Sequence, residues 1–251
     1  MDRRIPRGGW SFSGGASVMA TPFSIPLDGS EPVSALDYAP EPEAAAALGA
    51  TLILAHGAGA PQTHPFMTAF GRGLSSRGLR VVTFNFPYME RRRRYPDPGR
   101  RLEACYRAVI ADVRKRQANA RSRLLVGGKS MGGRIATQVV AQDTGVEASL
   151  GVDGLVLLGY PLHPPGRPDK LRDAHLPSIA APMLFVQGSR DTFGTPDELR
   201  PVLAGCALAE LFVVEGGEHS FKVRGKNAPS EAEIHSTVQD AVIEWCGRRL
   251  R

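Results

Sequence analysis

Cysteine is scarce in this 251-residue chain, and what there is forms no pattern. Cys105, Cys206 and Cys246 are three, an odd number, and lie far apart, without a C-x-x-C pair or the spacing of a zinc site. That excludes a disulfide framework and a structural zinc centre, and reduced thiols point to a cytoplasmic setting. Long apolar runs are also missing. No stretch approaches the roughly 18 apolar residues that read as a membrane span. The start, "MDRRIPRGGWSFSGGASVMATPF", lacks the apolar segment of a secretory signal. Aromatic residues make up 7%, and no aromatic-basic alternation extends along the chain, so nucleic-acid binding is not expected.

Glycine and proline, in contrast, are plentiful. The 28 Gly and 20 Pro are spread along the whole chain, which implies many turns between short elements. Hydrophobic residues reach 42%, enough for a sizeable core. Lys and Arg exceed Asp and Glu by 31 to 25, a net charge of +6. The excess is densest at Arg91 to Arg94, which is either a solvated loop or a place where an anionic substrate group docks. Residues 1–15, rich in Arg, Gly and Ser, are expected to form a disordered tail. Residues 16–251 are expected to form one domain.

Six short apolar runs recur: "TLILAH" (51–56), "RVVTFN" (80–85), "RLLVGG" (123–128), "GLVLLG" (154–159), "PMLFVQG" (182–188) and "ELFVVEG" (210–216). Continuous runs of this length suit strands buried on both faces. Helical stretches separate them. In "GRRLEACYRAVIADVRKRQA" one face carries Leu102, Cys105, Val109, Ile110 and Val113. A final helix starts at the capping-box pattern Ser230-x-x-Glu233. Strand–helix alternation predicts an α/β fold with a mostly parallel central sheet flanked by helices. "FSIPLD" and "VSALDYAP" are expected to add an antiparallel edge, and "APEPEAAAALGA" (39–50) reads as a loop.

"RLLVGGKSMGGRIA" admits two chemistries. A phosphate-binding loop needs glycine five residues before its G-K-S, and that position is Arg123. The intervening Leu124, Leu125 and Val126 read as strand, so nucleotide binding is rejected. Gly128-Lys129-Ser130-Met131-Gly132 instead fits a nucleophile elbow, a strand turning sharply into a helix with serine at the tip. Glycines two before and two after the serine relieve collisions there.

The other parts of a proton relay follow in the order Ser, Asp, His. Ser130 would be nucleophile, His219 in "VVEGGEHSF" its base, and Asp191 in "VQGSRDTFG" the orienting acid. Asp191 could instead cap the helix near Pro196, and His219 could be a surface residue; His163, His175 and His235 are rival bases. "HGAG" (56–59) would supply an oxyanion donor, Ala58 or Gly59, alongside the Met131 N–H, or is an ordinary glycine turn. Phe86, Tyr88, Met89, Tyr160 and Leu162 follow strands at the same rim. They would line an apolar substrate pocket or pack into the core.

The set "HGAGA…HPFM", "FNFPYME", "GGKSMGGR", "GYPLHPPG…KLRD", "FVQGSRD" and "EGGEHSF" resembles the α/β-hydrolase-fold proteins of the dienelactone-hydrolase-like, testis-expressed-protein type. The likeness runs from about residue 20 to the end. It implies an α/β-hydrolase fold without a large cap domain and a Ser130–Asp191–His219 triad. Dienelactone hydrolases use a cysteine nucleophile, where this chain has serine. The expectation is a serine hydrolase acting on a small-molecule ester or thioester, without metal or cofactor. The alternative is a non-catalytic interaction module on the same scaffold. Substrate and oligomeric state are not specified by these residues.

Overall fold

The computed structural model describes residues 19–117, 122–143 and 149–250; the tail expected over 1–15 lies outside the described residues. The six apolar runs become strands β3 (Ala50–Ala55), β4 (Arg80–Phe84), β5 (Arg123–Lys129), β6 (Gly154–Leu158), β7 (Met183–Gly188) and β8 (Ala209–Val214). They pair in parallel in the order β4-β3-β5-β6-β7-β8. The expected edge is present: β1 (Thr21–Leu27) and β2 (Ser30–Tyr38) pair antiparallel, and β2 joins β4 antiparallel.

Helices cover both faces, which is why the inner strands are apolar on both sides. On one face lie α4 (Gly99–Arg116) and α5 (Met131–Ala141); Leu102, Cys105, Val109, Ile110 and Val113 of α4 all point into that core. On the other lie α2 (Pro65–Ser75) and α7 (Glu231–Arg249), contributing Phe66, Phe70, Leu74, Val238, Val242 and Trp245. The expected capping box opens α7, with Ser230 and Glu233 each bonding the other's backbone N–H.

The segment read as a loop over 39–50 contains a helix, α1 (Pro42–Leu48). Alanine is the strongest helix former, Pro42 sits at the first turn, and Gly49 ends the helix in a left-handed conformation (φ 56°) with its N–H on Ala45 C=O. Those local signals outweigh the proline content that suggested a loop.

From β3 the chain first crosses to β4, then returns past β3 to β5. The carboxyl ends of β3 and β5 therefore flank the point where strand order reverses, the usual ligand crevice of open α/β sheets. Two short helices, α3 (Pro87–Glu90) and α6 (Pro196–Leu203), follow β4 and β7. The long β6–β7 connection holds no cap domain; it folds onto itself, with Tyr160 hydroxyl donating to Arg172 C=O (2.6 Å) and Arg172 N–H to Leu162 C=O (2.8 Å).

One buried side chain ties α4 to the middle of the sheet. The Tyr106 hydroxyl accepts from Gly127 N–H (2.9 Å) and lies 2.7 Å from Gly127 C=O and 3.0 Å from Ile53 C=O. Burial drives its pKa up, so it stays a neutral phenol. Tyr106→Phe strands buried backbone groups without creating a large cavity. A loss of about 1–3 kcal/mol is expected. Urea denaturation measures it, and an unchanged midpoint would show that the bond contributes nothing net.

Candidate active site

Strand β5 passes into α5 through one residue, Ser130, at φ 51° and ψ −116°. A non-glycine residue there is strained, at a cost on the order of 1–3 kcal/mol. The neighbourhood leaves it no alternative. A Cβ on Gly128 would sit 2.5 Å from Ala55 C=O, and one on Gly132 would sit 2.4 Å from the same oxygen. The two glycines let α5 press against the end of β3, and Ser130 absorbs the sharp turn. Its N–H is held by Leu158 C=O (3.0 Å) and its C=O by Arg134 N–H (3.1 Å).

The loops after β7 and β8 bring an acid and an imidazole to this tip. His219 Nε2 lies 2.8 Å from Ser130 Oγ, and His219 Nδ1 lies 2.8 Å from Asp191 Oδ2. Asp191 is not a helix cap: Thr195 caps α6, in a capping box with Glu198. The Asp191 carboxylate, fully buried, has its remaining acceptor sites filled by Gln187 Nε2 (2.8 Å to Oδ2) and Phe193 N–H (2.9 Å to Oδ1). With Asp191 accepting from Nδ1–H, Nε2 is left with a lone pair facing the hydroxyl. The Phe193 ring stacks on the imidazole at 4.2 Å. His219's pKa is lowered, chiefly by burial, with Asp191 opposing that shift and the nearby Lys129 charge adding to it. The rivals are elsewhere. His163 sits 3.3 Å from Glu198, His175 is bonded to Thr137 (2.8 Å), and His235 packs on Phe66 and Phe70.

Sequence reasoning missed the residue between Gly128 and Ser130. Lys129 is 8% exposed, and its Nζ donates to the His219 C=O at 2.6 Å. The ammonium lies over the rings of Phe66 (5.6 Å) and Phe221 (6.0 Å). Burial lowers its pKa to about 8, with Asp191 pulling the other way. A lysine in the variable position of G-x-S-x-G, following a buried strand, was the available signal. Gln187, a lone amide in the apolar run "MLFVQG", was the signal for the acid's support.

His56 opens the "HGAG" loop and is wholly buried. Its Nδ1 is 2.8 Å from Gly57 C=O, and its Nε2 accepts from Phe86 N–H (3.1 Å). The pattern requires a neutral ring protonated on Nδ1. Burial agrees, lowering its pKa to about 4. The ring fastens this loop to the one after β4. A Cβ on Gly57 would lie 3.6 Å from Ser130 Cβ, so the loop borders the serine. The N–H groups of Ala58 and Met131 bond to no described residue. Burial pushes the Tyr88 phenol, next to His56, up in pKa.

Phe86, Tyr88, Tyr160 and Leu162 are all at 0% exposure and belong to the core cluster. The packing reading therefore holds for them: they support the rim from below and line no open pocket. Met89 is partly exposed, and Arg92 to Arg94 stand in solvent beside it. Among the described residues no group of three or more His, Cys, Asp or Glu is arranged to hold a metal ion. No helix among them is long and apolar enough to cross a membrane.

Solved structures share this architecture. A serine α/β hydrolase without a lid from Xanthomonas campestris is 21% identical, with a TM-score of 0.69 over 90% of this chain and 94% of its own. A dienelactone hydrolase from Anabaena variabilis is 19% identical, with a TM-score of 0.68 over 93% and 99%. An α/β serine hydrolase homologue from Coxiella burnetii is 18% identical, with a TM-score of 0.66 over 95% and 100%. At these identities the likeness is one of fold. The model of the alpha/beta hydrolase domain family matches residues 49–247, across the elbow and both loops that meet it, and the chain belongs to that family.

Proposed function

We propose that the protein is a serine hydrolase of ester-type bonds, esterase- or thioesterase-like, working through an acyl-enzyme. The observation that carries this is the unbroken chain of two 2.8 Å contacts from Ser130 Oγ through His219 to Asp191, set at a strained elbow. In the proposed cycle Ser130 Oγ attacks the carbonyl carbon while its proton passes to His219 Nε2. The carbonyl oxygen becomes an oxyanion held by the free N–H groups of Met131 and Ala58. Gly59, the next residue of the loop, is the alternative second donor. Collapse breaks the bond to the leaving group, which takes the proton from His219. Water then attacks the acyl-serine, gives its proton to His219, and the acid product leaves as the proton returns to Ser130. Asp191 keeps its charge throughout and stabilises the imidazolium.

The relay places firm demands on labelling and rate. A fluorophosphonate probe should label the wild type and leave Ser130→Ala unlabelled; equal labelling of both removes Ser130 from the reaction. Asp191→Asn should lower kcat by about 10³–10⁴-fold, since the imidazole is then held in the wrong tautomer.

The pH dependence follows from the direction of the His219 shift. Only the neutral imidazole accepts the serine proton, so activity is lost as pH falls through its pKa. Because that pKa is lowered from 6.5, the acid limb should lie below pH 6.5. At pH 7 Lys129, with a pKa of about 8, is mostly protonated. Its charge disfavours imidazolium. Lys129→Met keeps the stem against Phe66 and Phe221 but deletes the charge and the bond to the His219 C=O. The His219 pKa should then rise and carry the acid limb upward. Proton–nitrogen NMR of labelled histidine, with His219→Gln to assign the signal, reads this without relying on turnover. An unmoved titration removes Lys129 from any electrostatic role.

A further inference from the structure

We propose that a cleft between the Gly59–Pro61 turn and the Arg92–Arg94 turn binds an anionic group, a carboxylate or phosphate, at the far end of the substrate. This rests on the hydrolase reading and narrows it: the substrate is an ester whose acyl or alcohol part carries a second, charged end. The cleft measures about 430 Å³, within the range of small-molecule sites. One wall is Gly59 and Pro61, from the loop that carries the proposed oxyanion donor. The floor is Asn85 and Met89, and the other wall is the three arginines. Gly59 has φ +77°, and a Cβ built on it would meet nothing within 4 Å, so the cleft is open beside the residue next to Ala58.

The arginine run is held in place. Phe86 and Tyr88, both buried, anchor the start of the turn. Arg92 N–H bonds Met89 C=O (3.0 Å), Arg93 N–H bonds Tyr88 C=O (2.9 Å), and Arg92 takes a positive φ of 52°. Asn85 stitches the floor to both sides, accepting from Gln62 N–H (2.9 Å) and donating to Ser34 Oγ (3.2 Å).

Charge balance is what singles the cleft out. The turn's own acid, Glu90, is engaged by Ser34, accepting from its N–H (2.7 Å) and hydroxyl (2.5 Å). Arg91 is 3.8 Å from Glu31. Arg92, Arg93 and Arg94 have no carboxylate within ion-pair distance among the described residues; Arg94 lies only against the Tyr95 ring (5.8 Å). Three arginines without a carboxylate partner among the described residues thus line a concave site whose lining contains no acid. Guanidinium forks match the paired oxygens of a carboxylate or phosphate.

The test uses p-nitrophenyl esters of equal length ending in methyl, carboxylate or phosphonate, on wild type and on Arg92→Ala/Arg93→Ala/Arg94→Ala. In wild type the ratio of kcat/KM for a charged ester over the neutral one should exceed unity and fall with salt. In the triple variant that ratio should drop by about 10-fold or more. The carboxylate and phosphonate arms tell which anion is preferred. Calorimetry with glutarate and with inorganic phosphate provides a readout without turnover, with binding expected to weaken by a similar factor. If the fluorophosphonate fails to label but glutarate or phosphate binding depends on the arginines, the hydrolase reading falls and the anion site stands. An unchanged ratio and unchanged binding in a variant that melts like wild type overturn the cleft. So does retention on DNA or anionic vesicles that disappears in the variant while the ester ratio stays put, because the run is then a macromolecular contact.

Discussion

The whole rim depends on how closely α5 can approach β3. The Ala55 carbonyl occupies the space that a side chain at residue 128 or 132 would need. With glycine at both positions, helix and strand meet backbone to backbone, and no room remains for a gradual turn between β5 and α5. Ser130 therefore takes the strained conformation and carries its hydroxyl clear of the sheet. The same approach leaves the first N–H groups of α5 pointing outward next to that hydroxyl. One packing constraint thus sets both the position of the serine and the direction of the helix dipole beside it. The strain is tolerable because β5 lies between two parallel neighbours and is locked by their ladders.

A second constraint is electrostatic. Asp191 is a buried ionisable group, which is costly unless every oxygen has a donor. Gln187, the Phe193 N–H and the imidazole satisfy it. Lys129 lies on the other side of the imidazole's loop, within the field of the same carboxylate. The imidazole thus sits between a buried anion that favours its protonation and a buried cation that disfavours it. The ammonium also holds the backbone of residue 219 itself. Lys129 thus bears on both the position and the basicity of the imidazole, alongside burial and Asp191.

Much of this was legible in the chain because the relevant signals are local. Five of the six apolar runs are inner strands, as runs buried on both faces should be, whereas the sixth, β8, is the partly buried edge of the sheet. The elbow could be told from a phosphate loop because Leu124 to Val126 already belonged to β5. Asp191 and His219 followed from chain order, each lying just past a strand end. The failures share a cause. Helix α1 was missed because prolines flank a run of alanines whose propensity decides the outcome. Lys129 and Gln187 were missed because a polar residue beside a buried strand announces itself only through partners distant in sequence. The fate of Phe86, Tyr88, Tyr160 and Leu162 is a matter of tertiary packing. Residues after a strand can turn up toward ligand or down into the core, and periodicity does not distinguish the two.

That downward turn shapes what the rim can recognise. Four bulky apolar residues that would have formed a binding pocket are instead committed to the core at zero exposure, and the β6–β7 connection folds over itself without adding a lid. These four residues therefore offer no open apolar slot beside Ser130. What faces solvent nearby is the small-residue loop of Gly57 to Pro61 and, beyond it, Arg92 to Arg94. Tyr88 makes the link explicit: its ring lies against His56 (5.9 Å) below, while its C=O fixes Arg93 above. His56 in turn holds the loop carrying the proposed oxyanion donor. Burying Tyr88 takes its ring away from the rim, while its C=O fastens the arginine turn of the proposed anion cleft. With the proposed anion cleft on such a rim, selectivity is expected to follow substrate charge more than chain length fitted into a groove.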